Sequence, residues 1–149
     1  MTHSSHAVAL RFLSLAMGVF LLFMGLDKLD WFLDAGVLTQ QLHEWHGNAR
    51  PVARWYLEAI ALAAAPVFAR MVPAAELAAG AALILGVGVR PAAALALLMV
   101  INFHIAADVM FRYEYLWNAY GPPVLGALAA LAVGGRDLPF SVFKSRAAR

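Results

Sequence analysis

Lys28, Glu76, His104 and Asp108 are ionisable residues in or at the edge of long apolar stretches, where a charge costs several kcal/mol unless it is paired or used. Their types suit proton handling. Glu76 can take up and release a proton, and Lys28 can neutralise it or hold an anion. His104 and Asp108 are four residues apart, on one face if that segment is a helix. A carboxylate so placed holds the imidazole tautomer and raises its basicity. Glu76, His104 and Asp108 are therefore the candidate catalytic residues. No electron carrier accompanies them. The chain has no cysteine, which excludes disulfides, thiol relays and iron–sulfur clusters, and no flavin or haem motif is evident. His43 and His46 are too incomplete a set to predict a metal site, and neither metal nor haem is expected. His3 and His6 lie in the N-terminal tail and carry no assignment.

The elements that must position these residues follow from composition. Of 149 residues 63% are hydrophobic, against Lys+Arg 11 and Asp+Glu 9. A soluble domain runs nearer half apolar and a quarter charged, and a core of this size cannot hide so much apolar surface. A mean hydropathy of +0.73 agrees with a bilayer as the solvent. The formal net charge of +2 comes from scattered Lys and Arg, which leaves no nucleic-acid footprint.

A crossing helix needs about 20 residues, so the chain is predicted to be one all-α membrane domain over 1–149, a bundle of four transmembrane helices with an outer cap. The spans are expected at about 7–27, 70–90, 91–111 and 117–135. No small-x-small cleavage pattern follows the first, so it reads as an uncleaved helix. Residues 28–54 form the polar cap. Within it Leu38, Leu42 and Trp45 make one apolar stripe, predicting a short amphipathic helix on the membrane surface that ends at Gly47-Asn48, with Pro51 preventing its return. Leu77–Val89 is 13 residues, about 20 Å of helix, too short to cross alone. Glu76 must therefore enter the membrane. Residues 55–72 are expected as a re-entrant or interfacial helix jointed at Pro73. Gly126, Ala130 and Gly134 form a small-residue stripe that predicts close packing of the last helix, and Ser14, Gly18 and Gly25 form a weaker one on the first.

Every tryptophan (Trp31, Trp45, Trp55, Trp117) and tyrosine (Tyr56, Tyr113, Tyr115, Tyr120) lies in or beside the first and third connections, which share a side. Interfacial belts form at both interfaces, whereas the other side has only Phe140 and Phe143. A one-sided aromatic layer suits a planar ligand, with Trp55, Tyr113 and Trp117 as stacking candidates. Four crossings put both termini on one side. The short C-terminal tail, with Lys144, Arg146 and Arg149, places that side in the cytoplasm.

The order Gly25-x-x-Lys28, then Glu76-x3-Gly80-x2-Leu83-x2-Gly86-x3-Arg90, then Asn102-Phe103 resembles the DoxX family, from Arg11 to Gly134-Gly135. These are small four-helix bacterial membrane proteins related to DoxD, the membrane subunit of thiosulfate:quinone oxidoreductase. The resemblance implies a multi-pass protein of the bacterial inner membrane, tied to redox or sulfur metabolism, with quinone as acceptor. It singles out Lys28, Glu76, Arg90 and Asn102, and makes Gly25, Gly80, Gly86 and Arg90 a structural motif. The segment 30–54 is longer than in the shortest members. On this reading Lys28 or Arg54 would hold a reductant anion such as thiosulfate. Asn102, Trp55, Tyr113 and Trp117 would hold the quinone ring, and proximity would do much of the catalytic work. The competing reading is non-catalytic: an anchor for a soluble or membrane redox partner, or a small-anion carrier, with a homo-oligomer compatible with either.

Overall fold

A computed structural model describes residues 4–110 and 112–142. His3, Phe111, Phe143, Lys144, Arg146 and Arg149, used above for spans and orientation, lie outside the described residues. The described chain is helical, with no strand: α1 Ser5–Leu26, α2 Asp30–Leu33, α3 Ala35–Asn48, α4 Pro51–Tyr56 running into a π-helical turn at Leu57–Ala61, α5 Ala65–Leu85, α6 Val89–Ala106, a 3₁₀ turn at Tyr113–Trp117, and α7 Pro122–Gly134.

Local chemistry sets most of these limits. Ser4 caps α1 by accepting from the Ala7 amide, and Asp34 caps α3 by accepting from the Gly36 amide at 2.7 Å. Pro51 does not end helical structure but opens α4, because the first helical position needs no amide hydrogen. Gly86 and Gly88 take φ of 73° and 56°, left-handed values that let α5 turn back into α6 within three residues.

Three helices are long and apolar enough to cross a membrane, α1, α5 and α6, with 22, 21 and 18 residues. The last apolar helix is shorter than its predicted 117–135. Residues 113–117 coil as a 3₁₀ turn, Gly121-Pro122-Pro123 delays the start, and α7 has 13 residues. Pro73 is not a joint: α5 runs through it, and the break falls at 62–64, just before Pro66 in the first turn of α5. The proline removes one intrahelical bond, but its ring is fully buried against neighbouring elements. Residues 55–72 accordingly divide between α4, the π turn and the first turns of α5 instead of forming one separate helix.

The close crossing is α1 on α5. A Cβ on Gly80 would lie 2.8 Å from the Leu22 nitrogen and 2.9 Å from the Gly18 oxygen, so backbone meets backbone. The more conspicuous stripe on α7 does not pack in this way. Gly126 has nothing within 4 Å of a built Cβ, Ala130 is exposed, and Gly134 meets only the side-chain end of Leu10 at 2.9 Å, while Val124, Leu128 and Leu131 face the core. Leu21, Leu83, Leu128 and Leu131 form that core with Ala93 and Ala96.

A second apolar cluster lies under the cap. Leu38 and Leu42 of α3, 2% and 3% exposed, pack on Ala53, Leu57, Ala61, Ala65, Ala69 and Ala106. The stripe predicted to face lipid is thus spent on the chain's own helices. The first turns of α5 reach into the cap, and α1 ends about level with Leu77, the residue that Gly25 packs against.

Candidate functional site

Where α1 and α6 end and α7 begins, the cap roofs a cleft of about 460 Å³. Its wall carries Lys28, Glu76 and His104 together with Trp31, Trp45, Phe103, Phe20 and Tyr120. Lys28, just past α1, points its ammonium at both oxygens of Glu76 on α5, at 3.1 and 3.0 Å. The third bond of Lys28 goes to the Met24 carbonyl at 2.9 Å. An ammonium has three donors, and this geometry uses all of them. Trp31 and Phe103 place their rings 5.8 and 5.9 Å from the same nitrogen. The pair is buried, Lys28 8% and Glu76 4% exposed, so each charge depends on the other.

His104, near the end of α6, is also buried, and its Nδ1 lies 2.8 Å from the Tyr115 hydroxyl. The two rings meet edge to face at 5.2 Å. Tyr115 comes from the 3₁₀ turn that leads into α7, and burial pushes its phenol up, so it stays protonated.

Asp108 is not the partner of His104. Helix α6 stops at Ala106 and Asp108 takes φ of 55°, which abolishes the four-residue spacing on a common face. Its carboxylate accepts from Arg50 Nε at 3.0 and 2.9 Å, from the Arg50 amide at 3.2 Å and from Arg112 at 2.8 Å. The hydrogen bond from Arg50, followed by that from Arg112, holds the Asp108 carboxyl well below the usual carboxylate range against the opposing effect of burial. The same bond raises the Arg50 guanidinium. This cluster fastens the start of α4 to the end of α6 and lies outside the cleft lining.

The other predicted ligand residues are dispersed. Asn102 faces away from the main cleft and accepts a 2.6 Å bond from the Tyr56 hydroxyl, beside a void of about 20 Å³ under α3. Arg54 is exposed and donates to the Ala49 carbonyl. Trp55, Tyr113 and Trp117 are 62%, 69% and 67% exposed, the last two edge-on to each other at 4.9 Å. The aromatic surface of the cleft is instead Trp31, Trp45 and Phe103, with Phe20 and Tyr120 beside them. Two of these were legible in the chain: Trp31 lies nearly one turn beyond Lys28, and Phe103 immediately follows Asn102, whose own side chain points elsewhere. Of the motif residues, Gly25 and Gly80 line the α1–α5 contact and Gly86 turns α5 into α6. Arg90 donates to the Ala132 carbonyl near the end of α7, where a cation complements the helix dipole.

Arg11 is buried at the opposite end of the bundle. Its guanidinium donates to the carbonyls of Leu83, Ile84 and Phe140, closing the C-terminus of α5 together with the Ser14 hydroxyl. The signal was a single cation inside an apolar helix with a serine three residues on. Among the described residues no group of three His, Asp or Glu side chains gathers as metal ligands. His46 bonds Glu58 at 2.6 Å.

A family model described as DoxX matches residues 9–108 of the chain. No curated protein and no solved structure matches it.

Proposed function

The chain belongs to the DoxX family, a multi-pass membrane protein by its apolar helices, and from that premise we propose that it binds a quinone in the cleft beneath its cap. The proposal extends to a quinone-linked oxidoreductase or its membrane subunit, in the bacterial inner membrane. Four crossings, both termini cytoplasmic and the cap outside belong to the same reading, in which α7, at 13 residues too short to cross alone, makes the fourth together with the 3₁₀ turn that precedes it. Arg11, Arg90 and Arg136 at the end opposite the cap support that orientation.

One observation carries the proposal: a cleft of about 460 Å³ walled by Trp31, Trp45 and Phe103 encloses a lysine already neutralised by Glu76. Aromatic and apolar walls with a few convergent polar groups suit a planar, neutral ligand. Asp27 also lines the cleft and Lys28 has no donor left, so the charge balance argues against thiosulfate or another anion in the same place. Arg54, the other candidate anion holder, is outside it. A bound quinone would accept two electrons and two protons. The chain's own part is to orient the ring, exclude water and hold protons at Glu76 and His104. With no cysteine in the chain, the electrons come from an external reductant or partner.

The test is direct. Protein purified in mild detergent is extracted with organic solvent and the extract read by absorbance, and delipidated protein is titrated with decylubiquinone against its Trp fluorescence. Retained quinone and saturable quenching, lost in a Trp45→Ala, Phe103→Ala variant, are expected. A folded chain that neither retains nor binds quinone would overturn the proposal. That result would favour the anchor reading, which the exposed Trp55, Tyr113 and Trp117 support as a docking surface.

A further inference from the structure

We infer that His104 carries its ring proton on Nε2 and donates it to a carbonyl oxygen of the ligand in the cleft, with Tyr115 as the positioning residue that fixes this tautomer. The inference rests on the quinone reading of the cleft and adds which acceptor is recognised and by which atom.

Tyr115 is buried, and among the described residues the one hydrogen bond of its hydroxyl is to His104 Nδ1 at 2.8 Å. A buried O–H left without an acceptor is costly, so the phenol donates and Nδ1 accepts. An accepting Nδ1 has no proton, and a neutral imidazole must then carry its proton on Nε2. The opposite assignment, Nδ1–H to the phenol oxygen, would strand the phenol's own proton.

Nε2 of His104 has no hydrogen-bond partner among the described residues, yet it is not a sealed orphan: the buried side-chain nitrogen without a partner is Nε of Arg11. His104 is 8% exposed and lines the cleft, with its Nδ1 edge turned to Tyr115. The Nε2–H therefore opens onto the cleft. Lys28 cannot compete for a ligand oxygen, since its donors are committed to Glu76 and Met24. A neutral N–H donor facing an aromatic slot favours a ring that bears an oxygen acceptor, such as a quinone carbonyl, over a plain arene.

The experiment is ¹⁵N NMR of protein labelled at the histidine rings, with His104→Gln assigning the His104 signals among those of the five histidines. At neutral pH the parent should show an unprotonated Nδ1 and a protonated Nε2, and decylubiquinone should move the Nε2–H signal. Tyr115→Phe should give mixed tautomers and about a tenfold weaker quinone affinity, the equivalent of one hydrogen bond. If Tyr115→Phe does not fold, the His104 pair decides. His104→Gln, whose amide N–H can replace Nε2–H, should stay within about threefold of the parent, while His104→Leu should lose about tenfold or more. An Nδ1–H tautomer or an imidazolium in the parent overturns the inference. So does bound quinone that leaves Nε2 unmoved, although the cleft reading then stands. A parent that binds no quinone overturns both.

Discussion

The ammonium of Lys28 lies 3.1 and 3.0 Å from the two oxygens of Glu76, joining the end of α1 to the middle of α5 through a buried ion pair that forms one wall of the cleft. The pair is at once a helix clasp and part of the candidate site, and mutation can separate these roles. Glu76→Gln leaves a buried lysine uncompensated and should cost about 3–5 kcal/mol. Adding Lys28→Met should recover most of that loss, as thermal unfolding in detergent would register. The refolded double variant should nonetheless lose quinone binding. Parental stability together with undiminished binding in the double variant would remove both residues from the site.

The α1–α5 crossing should be intolerant of any side chain at Gly80. A methyl there meets the Leu22 nitrogen and the Gly18 oxygen, both backbone and both under 3 Å away. Gly80→Ala should therefore destabilise the bundle by about 1–3 kcal/mol despite alanine's better helix propensity. Gly126→Ala, with open space around it, should be neutral or slightly stabilising. Equal melting temperatures for the two variants would contradict the packing described.

Asp108 should make the cap acid-resistant. Its carboxyl is depressed by Arg50 and Arg112, so its contribution is fully present above the unfolded value of about 3.9 and is lost as pH falls through the lower folded value. Limited proteolysis at residues 49–51 should stay slow in the parent down to about pH 4. Asp108→Asn should be cut faster across the whole range, and its rate should not show the parent's acid transition. A parent whose cap opens already between about pH 5 and 6 would mean another group controls the latch.

Orientation is checked with single cysteines in a background that has none. With the cap outside, a cysteine at Asn48 should react in intact cells with an impermeant maleimide, and one at Ser4 should react only after permeabilisation. The reverse pattern would invert the topology.

Much was written in the chain itself. Long apolar runs predict α1 and α6, because in a bilayer each backbone amide must be bonded within its own helix, whereas α5, interrupted by Arg70, Pro73 and Glu76, was expected five residues later at 70–90 with a joint at Pro73. The ordered motif Gly25-Lys28, Glu76-Gly80-Gly86-Arg90 and Asn102 placed the family, and the costs of charge in lipid singled out Lys28, Glu76 and His104. What no local pattern could supply was the choice among partners. Asp108 was four residues from His104, yet α6 unwinds at Ala106 and the carboxylate goes to Arg50, 58 residues away in sequence. The stripe on α7 looked the better packing surface, but the register of α5 on α1 gave the close approach to Gly18 and Gly80. Which tryptophans line the cleft depended on how α2 and α3 fold back over α5, so Trp31 and Trp45 face inward while Trp55 and Trp117 are left outside. Helix formation in lipid is decided by a segment's own residues, whereas the contacts of a side chain beyond a helix end depend on where distant segments come to rest, and only the assembled tertiary structure fixes that.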